Sequence, residues 1–271
     1  METDLPKLEY SRDWDGTERL ILSDGKPTKG ENTVVMMAWE EPLMRTCVDS
    51  LGITSKSEVL EIGFGMGFSS ERIQEHNPKS HTIIEVAPAV LTRLEIWATD
   101  RCGVVIVADW WQSALPSLGR FDCVFFDDFP LPGAPDAEED AGGSSRWHAF
   151  AELCAAHHLK PGGRITGYMA REIDLRIPGC DVSFSTVAVA PPPSCPYYPY
   201  TSAVVPLVTL RDLTVANASI GSTVPPSSAL VAHPDADSFL PAQQGRSRKR
   251  RRRDEAVLAS VLRALESRRG R

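Results

Sequence analysis

The chain has no apolar run long enough to cross a bilayer, no C-x-x-C pair among its six cysteines, and no internal repeat. The first absence excludes a membrane-spanning helix, which needs about 20 consecutive apolar residues. The second argues against zinc-knuckle and thioredoxin-type redox motifs, so Cys47, Cys102, Cys123, Cys154, Cys180 and Cys195 read as free thiols. The third leaves no basis for a repeat architecture. The first twelve residues mix acids and bases and lack the apolar stretch of a secretory signal, which predicts a cytoplasmic protein.

What is present is ordinary for a globular chain of 271 residues: 42% hydrophobic and 24% charged. The charge is unevenly placed. Of a formal net charge of −7, the stretch from Arg246 to Arg271 carries +8 and the remainder −15. An acidic body is poorly suited to gripping nucleic-acid backbones. The basic run from Arg246 to Arg253 reads as a solvated charge run or as a signal for a nuclear import receptor, which would add a nuclear location.

Along the chain, residues 1–32 are polar apart from Leu20, Ile21 and Leu22 and read as an N-terminal segment ending in a loop. Val35, Met36, Trp39, Leu43, Met44 and Cys47 recur at helical spacing, predicting an amphipathic helix over 34–51 that Pro42 interrupts or starts. From Glu58 the pattern alternates. Strands are predicted at 58–62, 82–85, 104–107 and 121–126, with helices at 68–76 and 89–99 between them, which implies βαβ crossovers and a mostly parallel sheet. A further helix at 147–158, a Leu-Lys-Pro-Gly-Gly turn from Leu159 to Gly163, and strands at 164–168, 182–190 and 203–210 complete the pattern. The folded domain is therefore placed at 33–211. A Ser/Pro/Ala-rich linker expected to be disordered follows at 212–245, and a basic tail with a short amphipathic helix at 246–271.

The most informative segment is Glu61-Ile62-Gly63-Phe64-Gly65-Met66-Gly67, directly after a strand and before a helix. Glycines there permit a tight turn and let backbone N–H groups approach a ligand. Glu85, at the end of the next strand, is placed to accept the ribose hydroxyls of an adenosine cofactor. A glycine turn with a downstream acid also suits a dinucleotide. The G-x-G-x-G spacing, with Glu61 before it, favours S-adenosylmethionine, which has no pyrophosphate to seat. Asp109-Trp110-Trp111 offers a flat apolar wall and an edge acceptor for an adenine ring, and Asp122 and Asp127 flank a strand whose end should face the ligand cleft.

Several separated blocks, in order, then carry a resemblance: Val35-Met36-Met37-Ala38-Trp39-Glu40-Glu41-Pro42, Val59 to Met66, Ile83-Ile84-Glu85, Phe121 to Leu131, and Pro192 to Tyr198 with Pro206 to Thr209. Together they resemble the guanidinoacetate N-methyltransferase family, and the first block is also similar to the fungal arginine N-methyltransferases. The resemblance spans roughly 20–210. It implies an α/β, Rossmann-like class I methyltransferase with a mostly parallel seven-stranded sheet, or a reduced version of it, and helices on both faces.

It further implies that Glu40 and Asp127 bracket a guanidino substrate, with Asp127 accepting the proton. Met36, Met44, Gly63, Phe64, Gly65, Met66, Gly67, Phe68, Ser69, Glu85, Val86, Ala87, Trp111 and Gln112, with Asp127, would line the S-adenosylmethionine site. Ala170 and Arg171 would receive a substrate carboxylate, with Met36, Glu40 and Asp127 completing the substrate site. No metal is implied. The expected acceptor is guanidinoacetate, yielding creatine; arginine, free or in a protein, is the alternative, and a non-catalytic module that kept the fold is the second.

The chain departs from the family in three places. Asp128 stands where the family has threonine, the stretch between Tyr168 and Pro191 is shorter, and the acidic loop 132–140 is added. Each bears on the acceptor rather than on the cofactor. Tyr197 and Tyr198 read as packing residues, and His148, His157 and His158 as helix-surface residues.

Overall fold

The structure, a computed structural model, describes residues 7–22, 33–129, 131 and 146–220. The tail from 221 onward, the loop 132–140 and the loop ending at Asn32 lie outside them, and with them the expected basic run, the tail helix and most of the linker.

Seven strands form one sheet: β4 (Glu58–Ile62), β5 (Ser80–Glu85), β6 (Val104–Ala108), β7 (Phe121–Phe126), β8 (Leu159–Gly167), β9 (Cys180–Ala188) and β10 (Ser202–Leu210), in the order β6-β5-β4-β7-β8-β10-β9. The first five pair parallel and β10 runs antiparallel between β8 and β9. The complete seven-stranded form of the expected α/β fold is present.

The sequence shows why both faces must be covered. Val59 in β4 and Cys123 and Phe125 in β7 enter one buried cluster, while the alternating Leu60, Ile62, Val124 and Phe126 enter the other. α1 (Glu41–Ser50), α2 (Phe68–Glu75) and α3 (Pro88–Ala98) supply Leu43, Ile73 and Leu94 to the first cluster. α4 (Trp111–Ala114) and α5 (Arg146–His157) supply Trp111, Phe150 and Cys154 to the second.

Five expectations are corrected. The helix predicted over 34–51 divides: Thr33–Met37 is a strand, β3, Ala38–Glu40 is a 3-10 turn, and only Glu41–Ser50 is α-helical. β-branched Thr33, Val34 and Val35 favour the extended form. Pro42 sits in the first turn of α1, where its missing N–H has no intrahelical partner to lose. The N-terminal stretch is not a plain polar segment. β1 (Leu8–Arg12) and β2 (Glu18–Leu22) form a hairpin, and β3 pairs with β2 to complete a three-stranded antiparallel sheet.

The Leu-Lys-Pro-Gly-Gly turn lies inside β8, as an irregularity where pairing with β7 jumps from Phe121↔Leu159 to Cys123↔Arg164. The start of the stretch expected to be disordered is helical. α6 (Leu213–Ile220) follows, with Asp212 Oδ1 accepting the N–H of Thr214 at 2.9 Å and Val215 at 3.2 Å, and Ala216 is buried in the second cluster. His158, expected on a helix surface, is buried, with Nδ1 3.2 Å from the Gly119 carbonyl oxygen. All six cysteines are free, and no helix among the described residues is long and apolar enough to cross a membrane.

Candidate active site

After β4 the chain moves outward through β5 and β6, then returns to place β7 on the other side of β4. Loops at the carboxyl ends of β4 and β7 therefore diverge, which opens a cleft at this switch point. Gly63 follows β4 and Asp127 follows β7, and they are directly adjacent: the Asp127 N–H donates to the Ile62 carbonyl at 3.1 Å. A Cβ at Gly63, whose φ is +81°, would lie 2.3 Å from the Asp127 carbonyl oxygen, so no side chain fits there. At Gly67, with φ +84°, a Cβ would meet the Phe64 ring at 2.8 Å.

Beneath the turn, Glu61 is fully buried. It accepts hydrogen bonds from the hydroxyls of Ser69 and Ser70 at the start of α2 and lies 2.8 Å from His81 Nε2 on β5. This network ties strand, turn and helix together.

The cleft encloses a cavity of about 400 Å³. Its walls come from the N-terminal sheet (Leu8, Leu20, Met36), the glycine turn (Gly63, Gly65), the ends of β5 and β6 (Glu85, Val86, Trp110, Trp111) and the end of β7 (Asp127, Asp128). The N-terminal sheet is anchored over the turn by Tyr10, whose hydroxyl donates to the Gly65 carbonyl at 2.7 Å.

Glu85 is 8% exposed, and both of its oxygens accept backbone N–H groups: Oε2 from Phe64 at 3.0 Å, Oε1 from Val86 and Ala87 at 2.8 Å each. Burial raises its pKa, and those N–H donors oppose the rise.

Glu40 is 3% exposed. Its Oε1 accepts the Met37 N–H at 2.8 Å and the Tyr197 hydroxyl at 2.5 Å. Burial pushes its pKa up to about 7 against these two bonds. Asp127 is pushed well above the usual carboxylate range, first by burial and then by the charges of Glu40 and Asp128. No described group donates a hydrogen bond to its carboxylate.

Asp128, the departure from the family, has its charge met locally. Arg146 at the start of α5 pairs with Oδ2, and Trp111 Nε1 donates to the same oxygen at 2.9 Å.

Of the residues singled out from the sequence, Met36, Glu40, Gly63, Gly65, Glu85, Val86, Asp109, Trp110, Trp111, Asp127 and Asp128 line the cavity. The others surround it or lie elsewhere. Met44 is fully buried in the core, and Ser69 is occupied by Glu61. Phe64 and Ala87 reach the site through their amides on Glu85, and Met66 through an N–H 3.4 Å from Met36 Sδ. Gly67 caps α2 and Phe68 begins it. Gln112 follows Trp111, with its side-chain amide nitrogen and oxygen buried and unpartnered among the described residues.

Ala170 and Arg171 do not line the cavity and are exposed. β8 ends at Gly167, Met169 bridges to Val204, and the chain then turns to the surface. Sequence reasoning missed Tyr168 and Tyr197, which also line the cavity. The packing role expected of Tyr198 holds: it is buried, its ring lies 5.0 Å from Trp39, and its hydroxyl donates to the Ser202 carbonyl.

A crystal structure of spermidine synthase in complex with the transition-state analogue AdoDATO superposes with a TM-score of 0.52 at 14% identity, covering 77% of this chain and 72% of that one, a likeness of fold. Proteins named protein arginine N-methyltransferase 2 match in sequence. The one from Emericella nidulans is 40% identical over 101 residues, and the one from Aspergillus oryzae is 40% identical over 135. These matches cover 35% and 48% of this chain, and 24% and 32% of those relatives, so the chain spans at most about a third of their length. The sequence profile described as guanidinoacetate N-methyltransferase matches residues 24–171, more than half of the chain, from before Glu40 through both acidic strand ends. The chain belongs to the guanidinoacetate N-methyltransferase family.

Proposed function

We infer that the protein is an S-adenosylmethionine-dependent N-methyltransferase acting on a guanidino group, with the guanidinium held between Glu40 and Asp127. The observation that carries this reading is the pair of acidic side chains, one with a free oxygen and one bonded by no described donor, on a single cavity beside a glycine turn.

The residues present fit the cofactor. Gly63, where a Cβ would collide with the Asp127 carbonyl oxygen, leaves bare backbone at the cavity wall, and Glu85 is held on the same wall. Trp111 gives the cavity a flat wall, and Gln112, next to it in the chain though not on that wall, keeps a buried amide whose donor and acceptor have no partner among the described residues, of the kind an adenine edge would engage. Gly63, Gly65, Glu85, Val86, Trp111 and Gln112 would hold S-adenosylmethionine, which supplies an electrophilic methyl group.

A guanidinium is planar, with paired N–H donors suited to carboxylates. Its lone pair is delocalised, so methylation requires the attacking nitrogen to lose a proton. Asp127, more basic than an ordinary carboxylate because it is buried among other acids, accepts that proton, while Glu40 fixes the orientation of the cation. The entering cation also offsets the repulsion between the two carboxylates.

Among guanidino compounds, the side chain of an arginine is the preferred acceptor. The described cavity wall carries Glu40, Glu85, Asp109, Asp127 and Asp128 and no Lys, Arg or His. Guanidinoacetate holds its carboxylate one carbon from the guanidino group, so that anion would have to enter the same acidic cavity. Arg171, expected to receive it, is exposed and off the wall. The family profile's own description favours guanidinoacetate and keeps it as the second reading.

Methylation assays with an arginine-containing peptide, free arginine and guanidinoacetate test both readings. Transfer to the peptide is expected. Transfer to guanidinoacetate alone would reverse the order of the two readings. No transfer together with no cofactor binding by calorimetry would leave a non-catalytic module.

A further inference from the structure

Glu40 sits where a 3-10 turn meets α1, and its carboxylate is not held by its own element alone. Met37 N–H and the Tyr197 hydroxyl both donate to Oε1. No donor among the described residues reaches Oε2. One oxygen of Glu40 is therefore committed to the protein and one is left for a ligand.

Tyr197 lies 157 residues further along the chain, in the loop between β9 and β10. That loop is closed at its base, where the Val189 N–H donates to the Thr201 carbonyl at 2.9 Å, and tightened by the Cys195 N–H on the Pro192 carbonyl at 2.9 Å. Trp39, next to Glu40, packs against both Tyr197, at 6.2 Å between ring centres, and Tyr198. Tyr197 thus reaches Glu40 from a closed loop packed on that residue's neighbour.

Resting on the guanidino reading above, we propose that Tyr197 is a positioning residue: its hydroxyl holds Glu40 Oε1 and so presents Oε2 alone to the guanidino group. The titratable groups facing Glu40 are Asp127, Tyr168, Tyr197 and Tyr198. Of these four, the Tyr197 hydroxyl is the one that donates to it. A hydrogen bond to a charged group is typically worth more than one to a neutral group. Its loss disfavours the ionised form of Glu40.

The test is a ¹³C NMR titration of the Glu40 carboxyl in the ligand-free full chain, assigned by its disappearance in Glu40→Gln, together with pH profiles of kcat/KM for the best guanidino substrate. In Tyr197→Phe the Glu40 titration and the acidic limb of the profile should both move upward by about one pH unit. Below the limb kcat/KM should fall about tenfold, and well above it by much less. Tyr198→Phe, which removes a hydroxyl from the same loop but not from Glu40, should leave the titration in place.

An unmoved titration in Tyr197→Phe overturns the proposal, as does an equal shift in both variants, which would mean loop packing. Should Tyr197→Phe fail to fold, 3-fluorotyrosine placed at 197, whose hydroxyl donates more strongly, should move the titration downward; no movement overturns the proposal. If the titration shifts as expected while the parent methylates no guanidino compound, the functional reading fails and the role of the hydroxyl on Glu40 stands.

Discussion

Glu85 and Asp127 end the two strands that flank β4, and both face one cavity, yet the protein treats them in opposite ways. Both oxygens of Glu85 are held in place, by three backbone N–H groups. Asp127 is given no described donor, and Glu40 keeps one oxygen unbonded. A buried carboxylate without donors is destabilising, so a fold retains one where something else is to supply the missing charge. The contrast separates a half of the cavity that is finished before any ligand arrives from a half that a cation completes.

The sharpest way to break this comparison is to neutralise each acid in turn. Asp127→Asn should lower turnover by about 10²- to 10⁴-fold while cofactor affinity stays within a few-fold. Glu85→Gln should do the reverse, weakening cofactor binding about tenfold or more while turnover at saturation is largely kept, because the amide sets an N–H against backbone N–H groups. Calorimetry with S-adenosylmethionine and single-turnover rates separate the two. The same pattern in both variants would show that the two halves are not distinct.

A stability measurement sharpens the comparison further. Because the Glu40 pKa in the folded protein, about 7, lies above its ordinary 4.5, folding favours the protonated form. That contribution is complete below about pH 4.5 and is lost as pH rises through about 7. Glu40→Gln, which keeps an acceptor for Met37 and Tyr197, should therefore unfold like the parent at pH 4.5 and be more stable at pH 8, by up to about 3 kcal/mol, while losing activity. Urea unfolding at the two pH values reads this directly, and a variant less stable than the parent at pH 8 would remove the idea that Glu40 is held against its preference.

The smallest effect is expected at Arg171. Arg171→Ala should leave KM for an arginine peptide within about twofold, in line with surface substitutions generally. A rise of tenfold or more would return Arg171 to the substrate site.

The cofactor half was largely legible from local sequence. The strand Glu58–Ile62, the glycine turn, the helix from Phe68 and the acid at 85 follow one another in the chain, and each is specified by its neighbours. Glu40 and Asp127 were recognisable through a family resemblance rather than through spacing. The partner of Glu40 was not, because nothing around Pro196-Tyr197-Tyr198 distinguishes the tyrosine that bonds an acid from the one that packs. In the sequence Asp128 is an added charge next to Asp127, and Trp111 and Arg146 answer that charge from positions 17 and 18 residues away, respectively. Val35, Met36 and Trp39 satisfy a helical period and also fit a strand that turns into a helix, and pairing with β2 decided between them.

By itself the sequence determined the succession of the seven strands of the main sheet, the burial of both its faces and the chemistry at the ends of β4 and β5, since alternation and glycine act over a few residues. Tertiary structure alone decided which oxygen of Glu40 is free, which tyrosine holds the other, and that Arg171 stands outside. Those outcomes depend on close approach between segments far apart in the chain, and hydrogen bonds of a few ångströms between such segments leave no periodic trace in either.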